Sequence, residues 1–163
     1  MVEASIAHLL QQYRTLRLSE TINYGRYSAY SLVWHSVKIE GCQLSELETR
    51  LLLEDDVVAA GKPLTDHLMV RDHYQAFLLM QELAAQQQPI STELLQQLNS
   101  AVMRNTGAVI KTVLGDFDSS RGDLRLVRVF VGQKYFPPHD KVPQLLVDFC
   151  KEINDRLPEA TEA

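Results

Sequence analysis

Cysteine is scarce in this chain. Only Cys42 and Cys150 occur among 163 residues, far apart and with no C-x-x-C pairing. Neither a disulfide framework nor a zinc ribbon follows, and two reduced thiols in a cytosolic protein are the expected state. Long apolar runs are also missing. No stretch of roughly 18 apolar residues exists, which excludes a membrane-spanning helix. The first twenty residues carry His8, Arg14 and Arg17 among glutamines and have no apolar signal-peptide core, so cytoplasm is the expected location. Positive charge is in deficit: 16 Lys and Arg stand against 21 Asp and Glu, a net −5. A broad basic face for nucleic acid is therefore not expected. Glycine-rich phosphate loops and the G-x-S-x-G elbow are absent too.

What remains is an ordinary globular composition, 45% hydrophobic and 23% charged, on a length that suits one domain with a real core. The pattern is mainly helical. Ile6, Leu9, Leu10, Tyr13 and Leu16 share one face of a helix over Ser5–Leu18. Ser19 is an N-cap candidate for a second helix, whose Tyr27, Tyr30, Val33, Trp34 and Val37 run on to Glu40 and a stop at Gly41. Ser45 and Glu48 form a capping box before a helix expected to reach Ala60. Thr65 or Asp66 opens a long helix with Leu68, Met69, Tyr74, Phe77, Leu78 and Leu83 inward. Ser91 caps a helix from Thr92 to about Met103. Gly107 and Gly115 bound a short ambiguous element, and Asp116–Asp123 reads as an acidic loop. Leu124–Val131 alternates like a strand, with a turn at Gly132–Lys134 and a short return through Tyr135 and Phe136. Pro143 suits the first turn of a last helix, with Val142, Leu145, Leu146, Phe149, Cys150, Ile153 and Leu157 as its buried stripe and a frayed tail from Pro158.

Two metal-like clusters fail on spacing. His67 and His73, near Asp66 and Asp72, are six apart where one helix face needs three or four, so a solvated helix end is expected. Asp116, Asp118 and Ser120 begin like a calcium loop, but Arg121 and Val127 occupy the glycine and glutamate positions. No metal site is expected.

The end of the second helix is more informative: Ser36-Val37-Lys38-Ile39-Glu40-Gly41. A carboxylate in the last turn faces the negative helix end and is disfavoured by about 0.3–1 kcal/mol. Taken alone, Glu40 is a surface residue before a glycine stop. The segment nevertheless resembles the inhibitory motif (S/T)-x-x-x-E-(G/N) of the Fic family of adenylyltransferases, with Ser36, Glu40 and Gly41 at its defined positions. Gly122-Asp123-Leu124-Arg125 is similar to that family's G-x-(Y/F)-R segment. Leu126, Val127, Arg128, Val129, Phe130 and Val131 look like its first flap strand. Tyr135-Phe136-Pro137-Pro138, then Val142 to Leu146, look like the segment that closes the flap and starts the next helix. The resemblance runs from about Ser19 onward.

That resemblance implies a mainly helical Fic-like core with one β-hairpin flap. Residues 1–18 would be an N-terminal helix, 19–41 the inhibitory helix, and 42–163 a partial core. The flap would dock a protein target by strand addition, through Leu126–Val131, Tyr135 and Phe136. In the family, the inhibitory glutamate pairs with the second arginine of the loop H-x-F-x-(D/E)-G-N-G-R-x-x-R and blocks seating of the ATP γ-phosphate. No residue here matches that loop, and His139 has no G-N-G-R after it. The expectation is a truncated, catalytically incomplete Fic-type protein with no catalytic residue, cofactor or metal of its own. ATP and magnesium are implied only for a complete member, which would transfer AMP to protein hydroxyls. Expected partners are a protein target or a complementary Fic half, with self-association a further possibility. Two alternatives stand beside this: an antitoxin-like regulator supplying Glu40 in trans, and an unrelated helical interaction domain.

Overall fold

A computed structural model describes residues 6–15 and 23–160. The chain is mainly helical. Its helices are α1 (Ile6–Thr15), α2 (Tyr24–Ile39), α3 (Glu46–Asp55), α4 (Leu64–Ala85), α5 (Thr92–Val102) and α6 (Val142–Ala160). Two antiparallel hairpins lie between α5 and α6: β1 (Val109–Thr112) with β2 (Gly115–Asp118), and β3 (Phe130–Val131) with β4 (Lys134–Tyr135). The expectation of a helical core carrying a β-hairpin flap matches this architecture, with one hairpin more than expected.

Helix α4 is the spine, with α2 and α5 packed along it. The core joins Val33 and Val37 of α2, Cys42 and Leu44 of the following turn, Leu52 of α3 and Val70 of α4. Each fully buried aliphatic side chain of this kind contributes about 1.5–3 kcal/mol. Tyr30 stacks at a tilt on Tyr74 across α2 and α4, with ring centroids 5.5 Å apart. Burial pushes the Cys42 thiol up, which keeps it protonated.

Local signals set most helix ends. The Ser45 hydroxyl accepts from the Glu48 N–H at 3.3 Å, and the Glu48 carboxylate accepts from the Ser45 N–H at 2.7 Å, so the capping box forms. Ser91 accepts from the Leu94 N–H at 3.1 Å. Asn23, not Ser19, caps α2, accepting from the Arg26 N–H at 3.0 Å. Ser19 lies outside the described residues.

Other expectations are corrected. Helix α3 stops at Asp55, not Ala60. Asp56 turns left-handed (φ +56) and is held by Arg71 at 2.5 Å, while the Ala59 N–H is taken by His67 Nε2 at 3.0 Å. Pro63 caps α4, one residue ahead of Leu64. The strand expected over Leu124–Val131 is reduced to Phe130–Val131, because Leu124–Arg128 pair with no strand among the described residues. Alternation favours a pleated surface, but a ladder needs a partner. The ambiguous element near Gly107 and the first part of the acidic loop are instead the β1–β2 hairpin, with Gly115 at φ +120. Asp66, His67 and Asp72 are buried, not at a solvated helix end. Helix α6 continues to Ala160, past the expected fraying point.

The expected stripe of α6 is only partly covered. Cys150 is buried, while Leu145, Phe149 and Leu157 remain 45–49% exposed. An apolar groove of about 790 Å³ runs between Met80, Leu83, Ile90, Leu94, Leu98 and Leu157. Asn154 holds its rim, donating to the Ile90 carbonyl at 2.7 Å and accepting from the Ile90 N–H at 2.9 Å. Apolar surface of this extent favours association. The purified chain is expected to self-associate or aggregate with rising concentration. Sedimentation with thermal unfolding checks this: a clean monomer with one sharp transition would mean that these faces need no cover.

Candidate functional site

The residues Ser36, Glu40 and Gly41 sit at the C-terminal end of α2. The helix closes in a Schellman turn: the Cys42 N–H donates to the Val37 carbonyl at 3.0 Å and the Gly41 N–H to the Lys38 carbonyl at 3.1 Å. Gly41 takes φ +91, which a β-carbon would disfavour. Val37 and Cys42, the two ends of that turn, are both buried in the core. Glu40 is therefore the cap residue of an anchored turn, and it is exposed. Among the described residues no cation lies within ion-pair distance of it. The nearby Lys38 ammonium instead serves the Cys42 carbonyl at 3.1 Å. Ser36 donates to the Leu32 carbonyl at 2.9 Å, so it ties down the turn before the motif rather than contacting Glu40.

The turn after Glu40 is held by side chains from several places. Trp34 Nε1 donates to the Leu44 carbonyl and Lys62 Nζ to the Gln43 carbonyl, both at 3.1 Å. The Asp66 carboxylate accepts from the Gln43 N–H at 2.7 Å. Asp66 lies in the first turn of α4, where the helix end is positive and favours a carboxylate.

The second region is the flap. Phe130 pairs with Tyr135 and Val131 with Lys134, and the Phe136 N–H donates to the Val129 carbonyl at 3.0 Å. Gly132 opens the two-residue turn at φ +59. The Phe130 and Tyr135 rings meet across the strands at 6.0 Å between centroids, and both are exposed. Leu126 and Val127 are half-buried and Arg128 is exposed, and all three precede the ladder. Of the eight flap residues read from sequence, Phe130, Val131 and Tyr135 lie in the strands, and Val129 and Phe136 extend them by one hydrogen bond.

The segment before the flap is pinned to α5. Gly122 is buried at φ +77 against the Gln96 backbone, and Gln96 Nε2 donates to its carbonyl at 3.0 Å. Ser120 donates through its hydroxyl (2.6 Å) and its N–H (2.9 Å) to Asp118, which holds that carboxyl below the usual range. Arg125 then bridges the flap's open end, donating to the Val127 and Pro137 carbonyls at 2.5 Å each. A planar guanidinium suits two acceptors twelve and two residues away in a way an ammonium does not. Beneath it lies an apolar groove of about 430 Å³ between Val129 and Phe136 of the flap and Leu145, Leu146 and Phe149 of α6.

The Ser36–Gly41 segment and the hairpin are each organised. Sequence reading met Asp66 only in a metal-like cluster that fails on spacing, and Arg125 only in the G-x-(Y/F)-R resemblance. It did not show the Asp66 bond to Gln43 or the Arg125 bridge to Pro137, because each depends on a partner distant in the chain.

No family model matches the chain. It is 28% identical over 156 residues to protein adenylyltransferase fic-1 of Caenorhabditis elegans, an alignment covering 94% of this chain and 28% of that protein. It is 28% identical over 132 residues to protein adenylyltransferase fic-1 of Caenorhabditis briggsae, covering 80% of this chain and 24% of that one. The chain thus spans about a quarter of the length of the curated relatives it matches, and nearly all of it is similar to proteins named as Fic-type protein adenylyltransferases.

Proposed function

We propose that this chain forms the regulatory and target-docking part of a Fic-type protein adenylyltransferase. The observation that carries the reading is Glu40: an exposed carboxylate on an anchored helix end, unfavourably placed for the helix, with no cation in reach among the described residues. An arginine brought to it from a catalytic segment would form a charge-assisted and directional pair. That pair would withhold the arginine from an ATP phosphate and keep transfer off. Similarity to relatives named as protein adenylyltransferases supports the same reading.

The flap has the complementary task. Its short strands leave edge backbone groups free to receive an extended segment of a protein target, so the hydroxyl to be modified could be presented with little sequence demand. Residues 42–163 then act as a partial core that a second segment completes.

The residues present do not fit ATP or magnesium. The sequence has no glycine-rich anion loop, and among the described residues no three His, Cys, Asp or Glu come together. No step of the transfer is therefore assigned to this chain's side chains. Among the described residues no helix is long and apolar enough to cross a membrane.

The chain by itself is expected to transfer no nucleotide. Incubation with labelled ATP, magnesium and a lysate should leave no band above a blank. Addition of a segment carrying H-x-F-x-(D/E)-G-N-G-R-x-x-R should produce one. Reproducible labelling by the chain alone would overturn the reading.

A further inference from the structure

The turn that follows Glu40 is bonded far more heavily than a surface turn requires. Three successive carbonyls, those of Cys42, Gln43 and Leu44, each accept from a different side chain: Lys38, Lys62 and Trp34. Cys42 and Leu44 are buried, so their carbonyls need protein donors, whereas Gln43 is exposed and water could serve both its carbonyl and its N–H. Side-chain partners at Gln43 therefore add position rather than satisfaction. Within that stretch the Cys42 N–H returns to Val37 of α2, and the Gln43 N–H is taken by Asp66 at 2.7 Å. Asp66 is only 8% exposed. Burying a carboxylate is expensive unless hydrogen bonds hold it, so its place at the α4 entry calls for a reason.

Asp66 is itself held in place. The neighbouring His67, 3% exposed, accepts from the Ala59 N–H at Nε2 (3.0 Å), so its proton sits on Nδ1 and is donated to the Pro63 carbonyl at 2.8 Å. This fixes the chain on both sides of the α4 start. The contact from Asp66 to Gln43 then carries that fixed point, 23 residues along the chain, to the end of α2.

We infer that Asp66 is a positioning residue that locks the Gly41–Leu44 turn to the start of α4 and thereby sets the direction in which Glu40 is presented. The inference rests on the inhibitory reading of Glu40 and names how that carboxylate is aimed. A rigid turn keeps a side chain on target without spending ordering entropy when the arginine arrives. Any event that moves the α4 entry would then release Glu40 without touching it.

The test uses the full chain with nitroxide labels at Glu40→Cys and Gln81→Cys, the latter exposed on α4. Cys42 and Cys150 are 2% and 6% exposed and stay unlabelled. The labels should show a narrow distance distribution. Asp66→Ala should broaden it and accelerate hydrogen exchange at the Gln43 amide about 10- to 100-fold. Asp66→Asn, whose side-chain oxygen can still accept, should keep both near the parent values. A loss of packing alone would shift the unfolding midpoint but leave the distance distribution of the folded protein unchanged. A folded Asp66→Ala chain with parental width and parental Gln43 exchange overturns the lock. Should Asp66→Ala not fold, Asp66→Ser, whose shorter side chain stops one bond short of the Gln43 N–H, takes its place. Broadening with faster Gln43 exchange supports the lock, and parental width with parental exchange overturns it. These outcomes are separate from the Glu40→Gly assay, whose failure would remove the inhibitory reading while leaving the distance result intact.

Discussion

Replacement of Glu40 by glycine, in a chain joined to the segment H-x-F-x-(D/E)-G-N-G-R-x-x-R, should raise nucleotide transfer and self-modification about 10- to 100-fold. A hydrogen bond to a charged group contributes about 1.5–3 kcal/mol. Each 1.4 kcal/mol is a factor of ten, so loss of one such pair accounts for that range. Ser36→Ala should act in the same direction and more weakly. Its hydroxyl holds the Leu32 carbonyl, one turn behind the motif, so its loss loosens the helix end without removing the carboxylate. Labelled ATP with a short time course reads both variants. The stability of the chain alone should hardly change in Glu40→Gly. Relief of the carboxylate at the negative helix end, about 0.3–1 kcal/mol, is offset by the added freedom of glycine, about 0.5–1 kcal/mol. A rate that does not move in the joined chain would return Glu40 to the status of a helix-end surface residue.

Gly122→Ala should be the most destabilising small substitution at a glycine in this chain, by more than about 4 kcal/mol or to the point of no soluble material. Two effects act together. The residue has φ +77, where an L side chain is strained by roughly 1–2 kcal/mol. A β-carbon there would also press on the Gln96 backbone carbonyl, which belongs to α5 and cannot yield without breaking that helix. Gly41→Ala is the control. It has φ +91 but open space around the new carbon, so only the conformational term of about 1–2 kcal/mol applies. Urea unfolding midpoints of the two variants separate clash from strain. Equal, small losses would mean that the Gly122 segment does not sit against α5 as closely as described.

The Gly122 result bears on the proposed docking role because the hairpin is cantilevered from that contact. Gly122 pins the chain to α5, Arg125 bridges Val127 to Pro137, and only then does the two-pair ladder of β3 and β4 begin. A hairpin of that length is marginal alone. Its shape comes from the anchors on either side.

Much of the fold could be read without coordinates wherever the signal is local. The Ser45–Glu48 box, the Ser91 cap and the Gly41 stop each depend on groups within a few residues of one another, and each forms. The helical rhythm of α2, α4 and α6 is of the same kind. The Ser36–Gly41 segment was legible as a helix end for this reason, while its inhibitory reading rests on the resemblance to the Fic motif.

Local reading failed where an outside partner decided the outcome. Val57, Val58, Ala59 and Ala60 continue the α3 pattern, yet Arg71 fixes Asp56 left-handed and His67 takes the Ala59 N–H, so the helix stops. Leu124–Val131 alternates well, but only two of its residues have a strand to pair with. Asp66, His67 and Asp72 have the composition of a solvated helix end. They are buried because Gln43, Ala59 and Asn105, between 8 and 33 residues distant, meet their polar atoms. By itself the sequence determined the helices, the Ser45 and Ser91 caps and the placing of Glu40 at a helix end, since hydrogen bonds within one turn suffice for each. The tertiary structure decided which charged groups could be buried, which strands paired and how the turn after Glu40 is held, because each of those depends on groups that only the folded chain brings within hydrogen-bonding distance.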